Sequence, residues 1–342
     1  MSRRAIAVLA AIIFLAAVVA GISLRDRARS LQGEAVDGHV LFPALAAHTA
    51  DIARIEIVSG EGTITIEKRG DEWVLPAKGG YPASLARIRD LVSTMAGMTL
   101  LERKTADPAR YPDLALGDPG QEEGAGKLVR LEDGSGAVLA AAVFGRVSPS
   151  LGRMGGGMYV RRQDDPQAWL AQGLFQIPTT VLSWADPIVL DAGNPKAIRS
   201  MTLADGGGKT IETFTRAKPD DAFAAQPPVP GKPDVSKMDH LADIVAVLNF
   251  EDVRPLPTDA GKPSRVVTFQ GFDDARYRIS LYGHRKDGWV TFEQQAPNTN
   301  AYQKVHAGFE YQLPDYRLAL LQSTAKEFVD SAGAAHPVKD RP

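Results

Sequence analysis

The chain runs through one pattern of apolar residues twice, and few folds accommodate repetition at so long a period. The stretch IARIEIVSGEGTITIEKR, from Ile52, lines up with IRSMTLADGGGKTIETFTR, from Ile198. Each alternates apolar and polar residues, breaks at a Gly-containing turn and alternates again. A period of two puts every second side chain on one face, so each stretch is expected to be a β-hairpin with one buried side. In this pairing Ile55 and Ile57 answer to Met201 and Leu203.

An aromatic segment comes next, DEWVLPAKGGYP in the first copy and the longer DDAFAAQPPVPGKPD in the second. Then the period changes. Leu85, Ile88, Leu91, Val92 and Met95 fall at helical spacing, and Met238, Leu241, Ile244, Val245 and Leu248 repeat those offsets. Each set predicts an amphipathic helix, with Arg87, Arg89 and Asp90, or Asp239 and Asp243, on its wet face. The extended segments MTLLERKT and NFEDVRPL follow the helices. KLVRLEDGSGAVLAAAVFG, from Lys127, then parallels RVVTFQGFDDARYRISLYG, from Arg265, and GMYVRR parallels GWVTFE. Each copy closes on one tetrapeptide pattern, Phe175-Gln176-Ile177-Pro178 and Tyr311-Gln312-Leu313-Pro314, expected to lead into a short helix that Pro opens.

The unit reads β-β-β-α-β-β-β-β-α. The first copy spans 45–188 and the second 194–331, joined by ADPIVLDAGNPKA; residues 25–44 read as a stalk and 332–342 as a disordered tail. Strand runs broken by single helices argue an α+β fold with mainly antiparallel sheets.

The first 24 residues differ in kind. Ala5 to Leu24 is a run of 20 residues without a charge, enough to cross a bilayer as a helix, flanked by Arg3 and Arg4 and by Arg25, Arg27 and Arg29. It is expected to be an uncleaved transmembrane anchor; a signal peptide cut after Ala20 is the alternative. With the N-terminus in the cytoplasm, the bulk of the chain lies outside a bacterial inner membrane, in the periplasm. Lys+Arg 39 against Asp+Glu 41 gives a net charge of -2, which supplies no electrostatic drive toward nucleic acid. The chain has no cysteine, which removes disulfides, thiolate metal sites and a Cys nucleophile.

Motifs of possible chemical meaning have simpler readings. Gly79-Gly80 precede a helix but no Lys-Ser/Thr follows, so the phosphate-loop pattern is missing. Here Tyr81 is expected to pack, Pro82 to open the helix and Ser84 to serve its first turn. Gly155, Gly156 and Gly157 beside Arg153 suit a strand connection with positive φ. The six histidines lack zinc-helix spacing, and Glu122-Glu123, Asp164-Asp165, Asp220-Asp221 and Asp273-Asp274 sit in turn-like contexts. There is no Gly-x-Ser-x-Gly elbow. Trp73 and Trp289 lie in strand patterns, where core packing is the usual role. No catalytic, cofactor-binding or metal-ligating residue is assigned.

Taken together, the apolar N-terminal span, Trp73 followed by Tyr81-Pro82 before the helix, LLERKT with Thr105, the strand with Tyr159 and Arg161, and the FQIP closure resemble an uncharacterised bacterial family, a domain of unknown function. The likeness covers about residues 45–330. It implies a membrane-anchored extracytoplasmic protein, in some members encoded beside components of gliding-motility-type ABC transport systems, and carries no established catalytic residues. The second copy lacks Tyr-Pro-Ala and the Glu-Arg-Lys-Thr run. On this reading the chain is a non-enzymatic accessory, scaffold or binding component of an envelope complex, with Tyr81, Arg103, Lys104, Arg153 and Arg161 as its binding or partner surface and no cofactor. Two alternatives stand beside it: an envelope-polymer hydrolase with its site expected between the two copies, whose Arg103, Lys104 and Arg161 grip an anionic substrate, and a small-ligand receptor with an aromatic-lined pocket expected there.

Overall fold

The computed structural model describes residues 34–35, 38–120, 124–148, 156–186, 192, 194–228, 230, 234–246, 248–282, 288–297, 303–304, 306 and 308–329. They form two compact units. The first takes the described residues up to Val74 together with Leu85–Trp184; the second takes Leu75–Ser84 and the described residues from Ala185 onward. The apolar run Ala5–Leu24, Arg153, His284 and the tail 332–342 lie outside the described residues. Among the described residues no helix is long and apolar enough to cross a membrane.

Each unit carries one antiparallel sheet. The first unit's strands are β1 (Glu34–Ala35), β2 (Ile52–Ser59), β3 (Gly62–Arg69), β4 (Glu72–Leu75), β6 (Thr99–Arg103), β7 (Lys127–Asp133), β8 (Val138–Val147), β9 (Gly157–Arg162) and β10 (Ala168–Gln172). The two-residue β5 (Tyr81–Pro82) falls in the segment that belongs to the second unit, with β11 (Ile198–Asp205), β12 (Thr210–Thr215), β13 (Ala224–Gln226), β14 (Asp252–Pro255), β15 (Arg265–Gly271), β16 (Arg276–Leu281), β17 (Trp289–Gln295), β18 (Gln303–Lys304) and β19 (Phe309–Gln312). The first sheet runs β6-β10-β9-β8-β7-β2-β3-β4, with β1 outside β6; the second runs β14-β19-β17-β16-β15-β11-β12-β13. The two orders agree position for position. The shared eight-strand order includes one strand per unit that the sequence pattern does not show, β10 and β19, because AWLAQ and FEYQ are too short to show alternation.

Register agrees as well. Ile55 lies between Ile66 and Leu131, and Ile57 between Ile64 and Val129. Met201 lies between Phe214 and Phe269, and Leu203 faces Val267. These side chains are buried, and each contributes roughly 1.5–3 kcal/mol by leaving water. Both central pairs also slip at the same place, between Ile52 and Arg54 and between Ile198 and Ser200. A shared β-bulge is a detail that hydrophobic patterning alone does not impose.

The helices are α1 (Leu45–His48), α2 (Leu85–Gly97), α3 (Tyr111–Leu114), α4 (Val235–Ala246) and α5 (Asp315–Gln322). Ile88, Leu91 and Met95 bury the stripe of α2, whereas Leu85, at its first turn, is 44% exposed. Met238, Leu241, Ile244 and Val245 bury that of α4. Asp234 caps α4: its carboxylate accepts from the Lys237 backbone N–H at 3.0 Å, satisfying one of the donors a helix start leaves over. Asp234→Ala is expected to cost about 1 kcal/mol in urea unfolding.

Three expectations change. Pro82 does not open α2; it sits in β5, three residues earlier. The stretch 25–44 is not all stalk: β1 pairs with β6, the Leu41 N–H donates to the Met98 carbonyl, and Leu41 and Phe42 are buried. Arg162 holds this segment by donating Nε and Nη2 to the Leu41 carbonyl, at 3.0 and 2.7 Å. Finally, only the second closure becomes a helix, α5; the first gives the short 3-10 turn Val181–Trp184.

The Gly-Gly-Tyr-Pro stretch is a structural part of the second unit. Gly79 has φ +67, and a Cβ there would overlap the Pro255 ring. Lys78 forms an ion pair with Asp252. Tyr81 is fully buried, its ring edge-on to Phe250, His306, Phe309 and Tyr311 at centroid distances of 5.9, 5.2, 5.1 and 6.0 Å. Burial pushes the phenols of Tyr81 and Tyr311 well above their ordinary range, so both stay neutral.

Candidate functional site

Of the residues expected at a partner surface, Tyr81 is in a core and Arg153 lies outside the described residues. The other three share one corner of the first sheet. The Lys104 N–H donates to the Ala168 carbonyl at 2.9 Å, and Ala168 pairs with Arg161, so β6, β10 and β9 bring Lys104 and Arg161 into one row. Each cation already has work there. The Lys104 ammonium is 2.8 Å from Glu102 and 5.8 Å from the Tyr159 ring centroid. Arg103 Nε donates to Gln167 Oε1 at 2.6 Å.

Arg161 is 6% exposed. Its Nε donates to the Leu116 carbonyl at 3.0 Å, its Nη2 donates to the Asp118 carboxylate, and its guanidinium lies 4.8 Å from the Tyr111 ring centroid. Tyr111 in turn donates its hydroxyl to the Pro166 carbonyl at 2.6 Å, and burial raises its phenol above the usual value, Arg161 opposing. The segment from α3 to Asp118 is thereby tied down over Leu128, Val143, Tyr159 and Leu170. The hollow beside Arg161, about 350 Å³, is also lined by Asp118, Asp164 and Asp165. Three carboxylates around one arginine do not make an anion site.

A larger groove opens elsewhere in the first unit. It measures about 590 Å³, within the range of ligand sites. Its apolar lining is Phe144, Val147, Met158, Phe175, Ile177 and Pro178; its charged lining is Arg87, Lys127 and Arg146. Among the described residues no carboxylate lines it, and neither Arg87 nor Arg146 forms an ion pair with another of them. The FQIP tetrapeptide forms one wall. Phe175 packs edge-on against Phe144 at 5.2 Å, Lys127 Nζ donates to the Ile177 carbonyl at 2.9 Å, and Trp184 Nε1 donates to the Pro178 carbonyl at 3.1 Å. Ser183, at the rim, shares a 2.7 Å hydrogen bond with Thr180. Chemically the groove can cover apolar surface and neutralise negative charge.

The sequence reading did not find this groove. It placed Arg87 on a wet helix face and gave no role to Lys127 or Arg146.

The fold and groove define a two-unit α+β protein with a basic, partly apolar recess in its first unit. The sequence profile of a family described as Domain of unknown function (DUF4340) matches residues 73–266, more than half of the chain. The chain belongs to that family. The matched stretch starts in β4 and ends in β15, so it includes parts of both units. No curated protein and no solved structure matches the chain.

Proposed function

We propose that this protein is a non-enzymatic, membrane-anchored binding or scaffold component of a bacterial cell-envelope complex, one built around an ABC-type transporter. The uncharged run Ala5–Leu24 is the anchor, and the two units lie in the periplasm. The observation that carries the reading is the groove of the first unit. Among the described residues its charged groups are all cations, set around apolar side chains, an arrangement for recognition. The corner around Arg161, by contrast, serves to hold a loop.

The test is purification of the full-length chain from gently solubilised membranes. The chain is expected to pellet with membranes and to elute with transporter subunits in a stoichiometric complex. Elution as a lone monomer, or recovery without detergent, would overturn the proposal.

A further inference from the structure

Both units end on the same short turn, and it carries a carboxylate in the second unit alone. Burial sets the helices in register. Leu85, Ile88, Leu91 and Met95 of α2 match Val235, Met238, Leu241 and Val245 of α4, the first of each set exposed and the rest buried. Leu85 thus answers to Val235, not to Met238 as the apolar offsets suggest, and Arg87 answers to Lys237. The sheets match Lys127 to Arg265: Lys127 pairs with Phe144 at the start of β7, Arg265 with Leu281 at the start of β15. Lys127 Nζ donates to the Ile177 carbonyl at 2.9 Å, and Arg265 Nη1 to the Leu321 carbonyl at 3.1 Å. The 3-10 turn Val181–Trp184 then corresponds to Ala325–Phe328, each ending on a buried aromatic ring. In the first turn Thr180 and Ser183 share a 2.7 Å hydrogen bond. In the second, Thr324 donates its hydroxyl to Glu327 at 3.0 Å and its N–H to the same carboxylate. Ser183 stands where the second unit has Glu327.

That exchange alters the charge around the two matched cations. In the second unit Lys237 Nζ donates to the Glu327 carbonyl at 3.0 Å, and Arg265 Nη1 also donates to the Ser323 carbonyl at 2.8 Å. The Glu327 carboxyl is held below the usual carboxylate range, first by the Thr324 donors and further by the charges of Lys237 and Arg265. The second unit therefore meets its two cations with an anion of its own. In the first unit Arg87 and Lys127 line the groove together with Arg146, the rim residue Ser183 is uncharged, and among the described residues no carboxylate lines the groove.

We propose that the groove binds a small amphiphilic organic acid, a carboxylate or phosphate monoester on an apolar body, whose acidic group sits by Arg87 and Lys127 as Glu327 sits by Lys237 and Arg265. The inference rests on the binding role proposed above. Charge complementarity sets the acidic group: guanidinium forks suit the oxygens of carboxylate and phosphate, and Arg146 adds a third positive charge. The walls set the body. Phe144, Met158, Phe175 and Ile177 line the groove, and Val147, 51% exposed, offers it apolar surface. Size sets the class: about 590 Å³ suits one small molecule and is too little for a two-chain lipid.

The test is calorimetric titration of the full-length protein in detergent with hexyl phosphate, which should bind saturably with a Kd of about 1 mM or below. Hexanol and inorganic phosphate, the two halves of the probe, should each bind at least about tenfold more weakly. Ser183→Glu gives the first unit the carboxylate of the second; it should weaken hexyl phosphate about tenfold or more, with the melting temperature unchanged or raised. Ser183→Gln, of the same size without the charge, should weaken it clearly less. Arg87→Gln, altered at an exposed side chain, should weaken it about fivefold or more. Micelles doped with phosphatidylglycerol should not displace the probe. Absence of saturable binding up to roughly 5 mM, equal weakening by Ser183→Glu and Ser183→Gln, unchanged affinity in Arg87→Gln, equal affinity for either half of the probe, or displacement by phosphatidylglycerol would each overturn the proposal, the last giving the site to bilayer lipid. A chain that elutes with transporter subunits but does not bind hexyl phosphate loses the ligand and keeps the scaffold role. A lone monomer that binds it through Arg87 keeps the ligand and loses the scaffold role.

Discussion

Tyr81→Ala is expected to destabilise the second unit by about 3–5 kcal/mol, although residue 81 lies more than a hundred positions before the rest of that unit. The ring is fully buried with Phe250, His306, Phe309 and Tyr311 edge-on around it. Truncation removes its transfer free energy, leaves a cavity those rings cannot fill and forfeits the edge-to-face pairs. The hydroxyl donates to the Asp186 carbonyl at 3.2 Å, and Ala leaves that acceptor without its donor. Tyr81→Phe loses this hydrogen bond alone and should cost about 1 kcal/mol. Hydrogen exchange read by segment distinguishes the outcomes. Protection should fall across β14, β17 and β19, which carry or adjoin the ring cluster, while β2, β7 and β8 keep theirs. Were this stretch the lip of a ligand site instead, Tyr81→Ala would leave exchange in those strands unchanged and show itself only in binding.

What was readable in the sequence follows from how far each signal reaches along the chain. The pairing of Ile55 and Ile57 with Met201 and Leu203 was legible because period-two alternation fixes both face and register, and the strands place those residues in matching rows. The stripes of α2 and α4 were legible for the same local reason. The membership of Leu75–Ser84 in the second unit was not, because local pattern says that Tyr81 is buried but not which core buries it. The role of Arg161 was hidden as well. A basic residue in a strand reads as a surface charge until a loop from 45 positions away supplies a carbonyl and a ring. The basic groove escaped notice because Arg87, Lys127 and Arg146 come from a helix and two strands, and only the shared topology brings them together.

Arg161→Ala is expected to cost about 2–4 kcal/mol in equilibrium unfolding of the first unit, and the pattern of companion variants shows why. The guanidinium serves two acceptors and one ring: the Leu116 carbonyl, the Asp118 carboxylate and the face of Tyr111. Removing it leaves the Leu116 carbonyl buried without a donor and Tyr111 without its cation, and it opens a space the size of the side chain. The Asp118 carboxylate is 73% exposed, so water replaces what it loses. Asp118→Asn should therefore cost less than about 1 kcal/mol, although it breaks the same ion pair. Arg161→Lys keeps the charge but lacks the planar fork that reaches both acceptors at once, and it should fall between the two. This asymmetry separates an anchor for a loop from a grip on an anionic substrate. A substrate-gripping arginine, when truncated, leaves unfolding unchanged or stabilises the protein and reduces ligand affinity. An anchoring one loosens the segment from Tyr111 to Asp118, and proteolysis under native conditions should then cut first between α3 and β7. If Arg161→Ala and Asp118→Asn prove equally costly, the ion pair holds the loop rather than the buried carbonyl and the ring, and the account of this corner given by its geometry is wrong.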